Sequence, residues 1–422
     1  SILLHHDAKF KLFAKRKVHS LLMKIAGIIC EYNPFHNGHA WQIEQARNAG
    51  ATHVICLMSG DFVQRGSPAL FPRHVRAKAA LLCGADLVLQ LPLPYAMARA
   101  ERFAYGAVSI LDRLGCVDVL HFGSECGDIG LLLEAAHVVM DPAVLSAAKE
   151  QMDLGKAFAP TRTLAVEQLY GPRVSSLLQN PNDTLGIEYL KWILRLKSPI
   201  QPQTIPRHQV GHEQMQAKGG FASATFLRQN IKSSGDLLPL LPYVPRQAAG
   251  VYLEAEQSGH VFRREEAVDA AVLFSLRGKS LQELEQTADM GDGLHHRIFQ
   301  KVRDARSYSD LLRLLACKRY PNARLRRILL SACLGITEKE VHRPPPYAKI
   351  LGFGPRGLEI LRAIRPYPGF SVRSKSADIR RLSPECARLV AWEDRAQGLY
   401  ALGLAFPEHA KGEFLTNPVI LR

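Results

Sequence analysis

The sequence has no apolar run of about 18 residues or more, the length that a membrane-crossing helix needs. Its best candidate, LVLQLPLPYAMA, is interrupted by Gln90, Pro92 and Pro94, so a transmembrane protein is disfavoured. Among the eight cysteines, Cys30, Cys56, Cys83, Cys116, Cys126, Cys317, Cys333 and Cys386, no two form a C-x-x-C pair, which argues against a zinc ribbon or a thioredoxin-like site. Several sit in strand-like apolar runs (GIIC, VICLM, ALLCG), where cysteine serves as a small buried hydrophobe, and their dispersal does not make a disulfide framework. A reducing, cytoplasmic compartment is the expectation. The H-x-E and P-C-x-x-C signature of zinc nucleobase deaminases is missing too, as is any internal repeat or low-complexity tract. Acidic residues are in short supply: 39 Asp and Glu against 54 Lys and Arg leave a formal charge of +15. Nucleic acid or nucleotides are the expected partners of such a surface.

What is present is a chain of 422 residues, too long for one ordinary core and suited to two or three domains. With 47% hydrophobic and 22% charged residues it has the composition of a globular protein. Residues 1–22 are basic and precede Met23, where a clean strand pattern begins; they read as a leader, tag or over-extended start and are set apart from the fold. From Met23 onward apolar runs alternate with helix-length segments: KIAGIIC, a helix from Gly38, THVICLM, a helix near Arg73–Cys83, ADLVLQL, a helix near Ala98–Leu114, then VDVLHFG. This βα rhythm predicts an α/β fold, a Rossmann-like parallel sheet covered on both faces, with ligands at the carboxyl ends of the strands. The expected organisation is a nucleotide-binding domain over 23–235, a helix-rich basic region over 236–343 and a small C-terminal appendage over 344–422.

The most informative stretch is IICEYNPFHNGHAWQIEQA, in which His36-Asn37-Gly38-His39 opens a helix just after a buried strand. A helix N-terminus offers free N–H groups and positive dipole, Gly38 lets the backbone approach an anion, and two imidazoles can donate to phosphate oxygens. The alternative is a turn whose histidines merely cap the helix. A zinc reading is weaker, because no Glu stands between the histidines and no cysteine partner is near. A second stretch, Ser223-Ala224-Thr225-Phe226-Leu227-Arg228, places hydroxyls and a guanidinium on the first turn of another helix. It can cradle the outer phosphates of a nucleoside triphosphate, or it is a simple N-cap with a solvated arginine. The pair of motifs together is more specific than either half.

Paired in this way, the motifs resemble the nucleotidylyltransferase superfamily. The series MKIAGIICEYNPFHNGH, MSGDFVQRGSPAL, GADLVLQLP, ERFAYGAV, FGSE, NDTLGIEYLK and SATFLR resembles, in order, the bacterial tRNA(Met) cytidine acetate ligase family, over essentially Met23 to the C-terminus. That resemblance implies ATP-dependent activation of acetate as acetyl-adenylate, followed by acetyl transfer to N4 of the wobble cytidine of elongator tRNA(Met), without acetyl-CoA. It implies an ATP site made of Ile29, Cys30, Glu31, Tyr32, Asn33, Pro34, Phe35, His36, Asn37, Gly38, His39, Ala40, Trp41 and Gln42, with Gly123, Asn182 and Arg207 further along. Ser223 and Thr225 join this site from the second motif. His36, His39 and Arg228, with Mg²⁺, are the expected charge-neutralising groups of an in-line attack on the α-phosphate, which needs no covalent enzyme intermediate. The sequence departs from the family pattern at Asp61, where Asn is usual, at Gln90, where Glu is usual, and at Asp292, where Glu is usual.

Three further stretches bear on function. In MSGDFVQRG, Asp61, Gln64 and Arg65 can contact substrate, RNA or each other, or form a surface turn with an internal ion pair. Gly352 to Gly357 spell G-x-G-x-x-G, but without the expected surroundings, and read as a structural turn and not as a dinucleotide site. The densest cationic stretch includes Lys318, Arg319, Tyr320, Arg324, Arg326 and Arg327, whose mixture of cations and an aromatic suits phosphate pairing and base stacking; a solvated helical face is the alternative. The reading that unites these features is an acetate- and ATP-dependent ligase of elongator tRNA(Met). A small-substrate adenylyltransferase and a non-catalytic RNA-binding protein on the same fold are its rivals.

Overall fold

The computed structural model describes residues 23–153, 158–207, 220–291, 293–317 and 320–422. Strand β1 (Ile25–Cys30) lies at the centre of the main sheet. It pairs in parallel with β2 (His53–Ser59) on one side and with β6 (Val119–Ser124) on the other. A two-stranded hairpin, β3 (Phe62–Val63) and β4 (Ser67–Pro68), follows β2, and β5 (Leu87–Leu91) then pairs in parallel with β2. Strand β7 (Gln201–Pro206) completes the far side against β6. Residues 54–58 of β2 are fully buried, as expected of a strand with helices on both faces, where the apolar run is continuous and not alternating. Helices Asn37–Asn48, Arg73–Leu82 and Ala100–Arg113 fall where the periodicity placed them.

The C-terminal segment departs from the expected appendage. Strand β8 (Tyr347–Phe353) runs antiparallel beside β5, and β9 (Ser371–Arg373) and β10 (Val419–Ile420) pair with opposite halves of β8. The physical reason is visible in β5: all five residues of LVLQL are buried, so this strand needs a partner on its outer edge. The helix Pro384–Ala401 likewise contributes Leu389, Val390 and Trp392 to one apolar core with the helices of 265–334, so the last segment is shared between both halves. The G-x-G-x-x-G stretch lies at the turn from β8 into the helix Pro355–Ala363. Its glycines are there for close approach: a Cβ on Gly352 would lie 2.6 Å from the Val419 carbonyl, and one on Gly357 2.2 Å from that of Asp86.

Asp61, which departs from the family pattern, is buried and internal. Its carboxylate accepts from the Arg73 backbone N–H at 2.7 Å and pairs with the Arg73 guanidinium at 3.4 Å. Arg73 also meets Glu393 at 3.5 Å and bonds Glu413, while Glu413 is bonded by Lys349 and by Ser376 at 2.5 Å. This charged knot joins the helix after the hairpin to β8 and the C-terminal helix. Gln90 is 2% exposed beside it, with no hydrogen-bond partner for either polar atom of its side chain among the described residues. Asp292 lies outside the described residues.

Candidate active site

Strand order reverses beside β1, where β2 leads to one side and β6 to the other, and a crevice opens there at the carboxyl ends of the strands. A cavity of about 270 Å³ fills this place. Its wall takes in Ile29, Cys30, Glu31, Tyr32, Asn33, His36, Gly38, His39, Trp41 and Gln42 from β1 and the following turn and helix. Gly123 at the end of β6, Asn182, Arg207, Ser223, Thr225 and Arg228 complete the set that the sequence had placed together. Four of the expected residues stay out of the wall. Phe35 is fully buried and its N–H donates to the Tyr252 hydroxyl at 2.8 Å; Asn37 donates to the Gly220 carbonyl at 2.9 Å; Pro34 is buried and Ala40 packs on the core.

The two histidines are held as one unit. His36 is the N-cap of the helix Asn37–Asn48: its Nδ1 accepts from the Gly38 N–H at 3.1 Å. The His36 N–H in turn donates to Nδ1 of His39 at 3.2 Å, and the rings stack with centroids 3.7 Å apart. Because both Nδ1 atoms act as acceptors, the proton of each neutral ring resides on Nε2 and is available as a donor. Burial, followed by the charges of Arg207 and Arg228, lowers the pKa of His36 to about 3, and burial with His36 and Arg207 lowers that of His39 well below its usual value. Both rings are therefore neutral near pH 7 in the free protein.

Cations surround them. Arg228 donates from Nη1 to the Asn33 carbonyl at 2.6 Å and from Nη2 to the Thr225 hydroxyl at 3.2 Å, which fixes its fork over the cavity. Ser223 caps its own helix by accepting from the Phe226 N–H at 3.1 Å. Arg207 donates to the Asn182 amide oxygen at 2.6 Å, and Asn182 is held by Glu125 at 2.5 Å. Two helix N-termini, at Asn37 and at Ala224, thus meet two fixed guanidiniums in one cleft, an arrangement suited to binding and polarising phosphate. Among the described residues Glu31 is the one carboxylate of the wall.

Sequence reasoning did not assign the apolar part of the wall, Phe103, Phe122, Leu185, Tyr189 and Ile205, nor Val63 and Ser67 of the hairpin; Gln64 and Arg65, left open between substrate, RNA and a surface turn, also line the cavity. Phe103 and Tyr189 stand within ERFAYGAV and NDTLGIEYLK, so those blocks carried the signal. The cationic stretch divides. Arg324 and Arg327 meet the Asp289 carboxylate at 3.8 and 3.6 Å, and Tyr320 is 6% exposed with Arg324 stacked over it at 5.2 Å, so its ring serves the core and not base stacking. Arg326 is half-buried, and Lys318 and Arg319 lie outside the described residues.

The buried histidines set an acid limit on stability. His74 and His121 are pushed down to about 4, mainly by burial, alongside His36 at about 3. The unfolded chain takes up protons near pH 6.5 that these native rings refuse, so stability is retained above that pH and falls as pH drops from 6.5 toward 4, by about 1.4 kcal/mol per pH unit for each ring. Urea unfolding between pH 7 and 5 measures this slope, and His121→Phe should flatten it; an unchanged slope would assign the protons elsewhere.

A mainly parallel sheet whose switch point carries two helix N-termini, a stacked histidine pair and two clamped arginines has the form of a nucleotide-binding α/β fold. The chain belongs to the HIGH nucleotidyl transferase family, whose model matches residues 23–413. It is 34% identical over 417 residues to the tRNA(Met) cytidine acetate ligase of Acetivibrio thermocellus, covering 94% of this chain and all of that protein. With the enzyme of the same name from Caldanaerobacter subterraneus it shares 37% over 366 residues, covering 85% of this chain and 90% of the relative. Its structure is similar to Thermotoga maritima TmcAL in the apo form, with TM-score 0.89 and 28% identity, and to the same protein bound with alpha-thio ATP, with TM-score 0.86; each covers 95% of this chain and 100% of the other. Among the described residues no single helix is long and apolar enough to cross a membrane.

Proposed function

We propose that this chain is an ATP-dependent ligase that activates acetate as acetyl-adenylate and transfers the acetyl group to N4 of the wobble cytidine of elongator tRNA(Met). The observation that carries the reading is the neutral His36–His39 pair, with both Nε2–H donors available at the mouth of a cationic nucleotide-sized cleft, in a chain of this family. Donors of this kind gain most as charge develops on the α-phosphate during attack by acetate, a weak nucleophile. Arg228, fixed by Asn33 and Thr225, is placed to grip the outer phosphates and to accompany departing pyrophosphate. Arg207, just after β7, and Asn182, in the first turn of the helix Pro181–Leu196, are bonded to each other in the same wall, where they would fix the rest of the nucleotide.

Mg²⁺ would shield charge on the triphosphate. The wall fits that role: with Glu31 its one carboxylate, and no group of three His, Cys, Asp or Glu gathered among the described residues, the ion would be held mainly by phosphate oxygens. The excess of basic residues supports tRNA as the partner, and a tRNA substrate would be met in the cytoplasm. Incubation with ATP, labelled acetate and total tRNA, followed by nucleoside analysis, tests the whole reading: label in N4-acetylcytidine is expected. A stable adenylated small molecule formed without tRNA would favour the adenylyltransferase rival instead.

A further inference from the structure

The hairpin after β2 connects the nucleotide cleft to the basic helices, and its tip carries an arginine that no part of the nucleotide chemistry above uses. Val63 accepts from the Gly66 N–H at 2.9 Å, closing a four-residue turn in which Gln64 and Arg65 are the central residues. The turn is anchored on both sides. Toward the cleft, the Gln64 N–H donates to Glu31 at 2.9 Å. Toward the helical half, Gly66 has φ +69 and lies so close to the helix Asn322–Leu334 that a Cβ would come within 2.6 Å of the Arg327 nitrogen. Phe62, at the root of the hairpin, belongs to the core of that helical half.

Arg65 is exposed at this anchored tip and lines the cavity. Arg228 lines the same cavity, so two guanidiniums share one space; burial lowers the pKa of Arg228, and the charge of Arg65 adds to that shift. Among the described residues no hydrogen bond or ion pair occupies Arg65, whereas Arg73, Arg76, Arg102, Arg324 and Arg327 are all engaged with protein groups. An exposed cation on a rigid turn, repelled by its neighbour and without a protein anion, is suited to an anion from outside.

We propose that Arg65 is a tRNA-binding residue that holds a phosphate of the RNA backbone at the cleft mouth, so that the target cytidine enters over the hairpin and not over Tyr320. This inference rests on the tRNA-modifying reading. It also reassigns part of the RNA path: the groups of the cationic stretch that are committed to Asp289 have less to offer a phosphate than the free guanidinium on the hairpin.

The test is a steady-state comparison of wild type, Arg65→Ala and Arg65→Lys, with tRNA acetylation and acetate-dependent ATP–pyrophosphate exchange measured on each. Loss of a charge-assisted phosphate contact should raise the KM for tRNA by at least about tenfold in Arg65→Ala. The salt dependence of tRNA binding should become shallower by about one unit, with partial recovery in Arg65→Lys. The ATP requirement of exchange should move far less than the tRNA requirement. A raised KM for ATP with an unchanged KM for tRNA would assign Arg65 to the triphosphate and overturn the proposal, as would an unchanged salt slope. If wild-type protein itself exchanges pyrophosphate but never acetylates tRNA, the underlying reading fails and not the placement of Arg65.

Discussion

Replacing His39 by alanine is expected to slow acetate-dependent ATP–pyrophosphate exchange by two to three orders of magnitude, roughly the effect of removing one preorganised donor from a developing oxyanion. The same substitution also removes the acceptor of the His36 N–H, so it loosens the first turn of the helix Asn37–Asn48. The cost of losing such a cap is about 1 kcal/mol, which separates the two roles: stability should fall slightly while exchange falls steeply. ATP binding should survive in part, because Arg228 and Arg207 keep their own supports at Asn33, Thr225 and Asn182. Exchange kinetics and equilibrium nucleotide binding on the folded variant provide the check. An exchange rate equal to that of the wild type would remove His39 from the chemistry and leave it a capping residue.

Arg73→Ala should produce the largest loss of stability, about 3–5 kcal/mol, by leaving buried carboxylates without their cation. Asp61, Glu393 and Glu413 all face this guanidinium, and all are at most 4% exposed. Lys349 remains beside Glu413 and limits the damage there, but Asp61 and Glu393 keep no other ion-pair partner among the described residues. Burial already pushes Glu393 up to about 7 even with Arg73 present. A carboxyl whose native pKa lies above its unfolded value near 4.3 stabilises the fold below that value and loses the contribution as pH rises through the native one. The variant should therefore regain part of its stability on acidification from pH 7.5 to 6, the direction opposite to that set by the buried histidines. Denaturant unfolding at the two pH values is the measurement; a loss below 1 kcal/mol would show that the knot is dispensable.

The sheet and its first helices were legible because their signal is local. Continuous apolar runs such as HVICLMS cannot be amphipathic strands of an exposed sheet, and the interval between them is the length of a covering helix. The histidine motif was legible for the same reason, since cap, glycine and donors lie within four residues. What escaped were the contacts between distant segments. Nothing in PPPYAKILGFGPRG shows that it lies antiparallel against LVLQL some 260 residues earlier, because an apolar run carries no address for its partner. Tyr320 was obscured for a related reason: an aromatic among cations looks like a stacking platform in sequence, and only packing shows that it is buried within the helical core. Asp61 stood near the expected active face, yet its partner Arg73 turns it inward.

The insertion of β8 beside β5 has a consequence for the nascent chain. A ribosome that has released residues 23–235 has delivered β1, β2, β5, β6 and β7, but the strand that must lie on the outer edge of β5 is not yet made. Until it arrives, LVLQL presents an apolar edge with open N–H and C=O groups, the feature through which incomplete chains pair with one another. Premature termination between Arg228 and Tyr347 would leave that edge permanently open even though every residue of the cleft wall has been synthesised. The C-terminal strand therefore acts as a late closure, so that solubility of the product reports completion of translation.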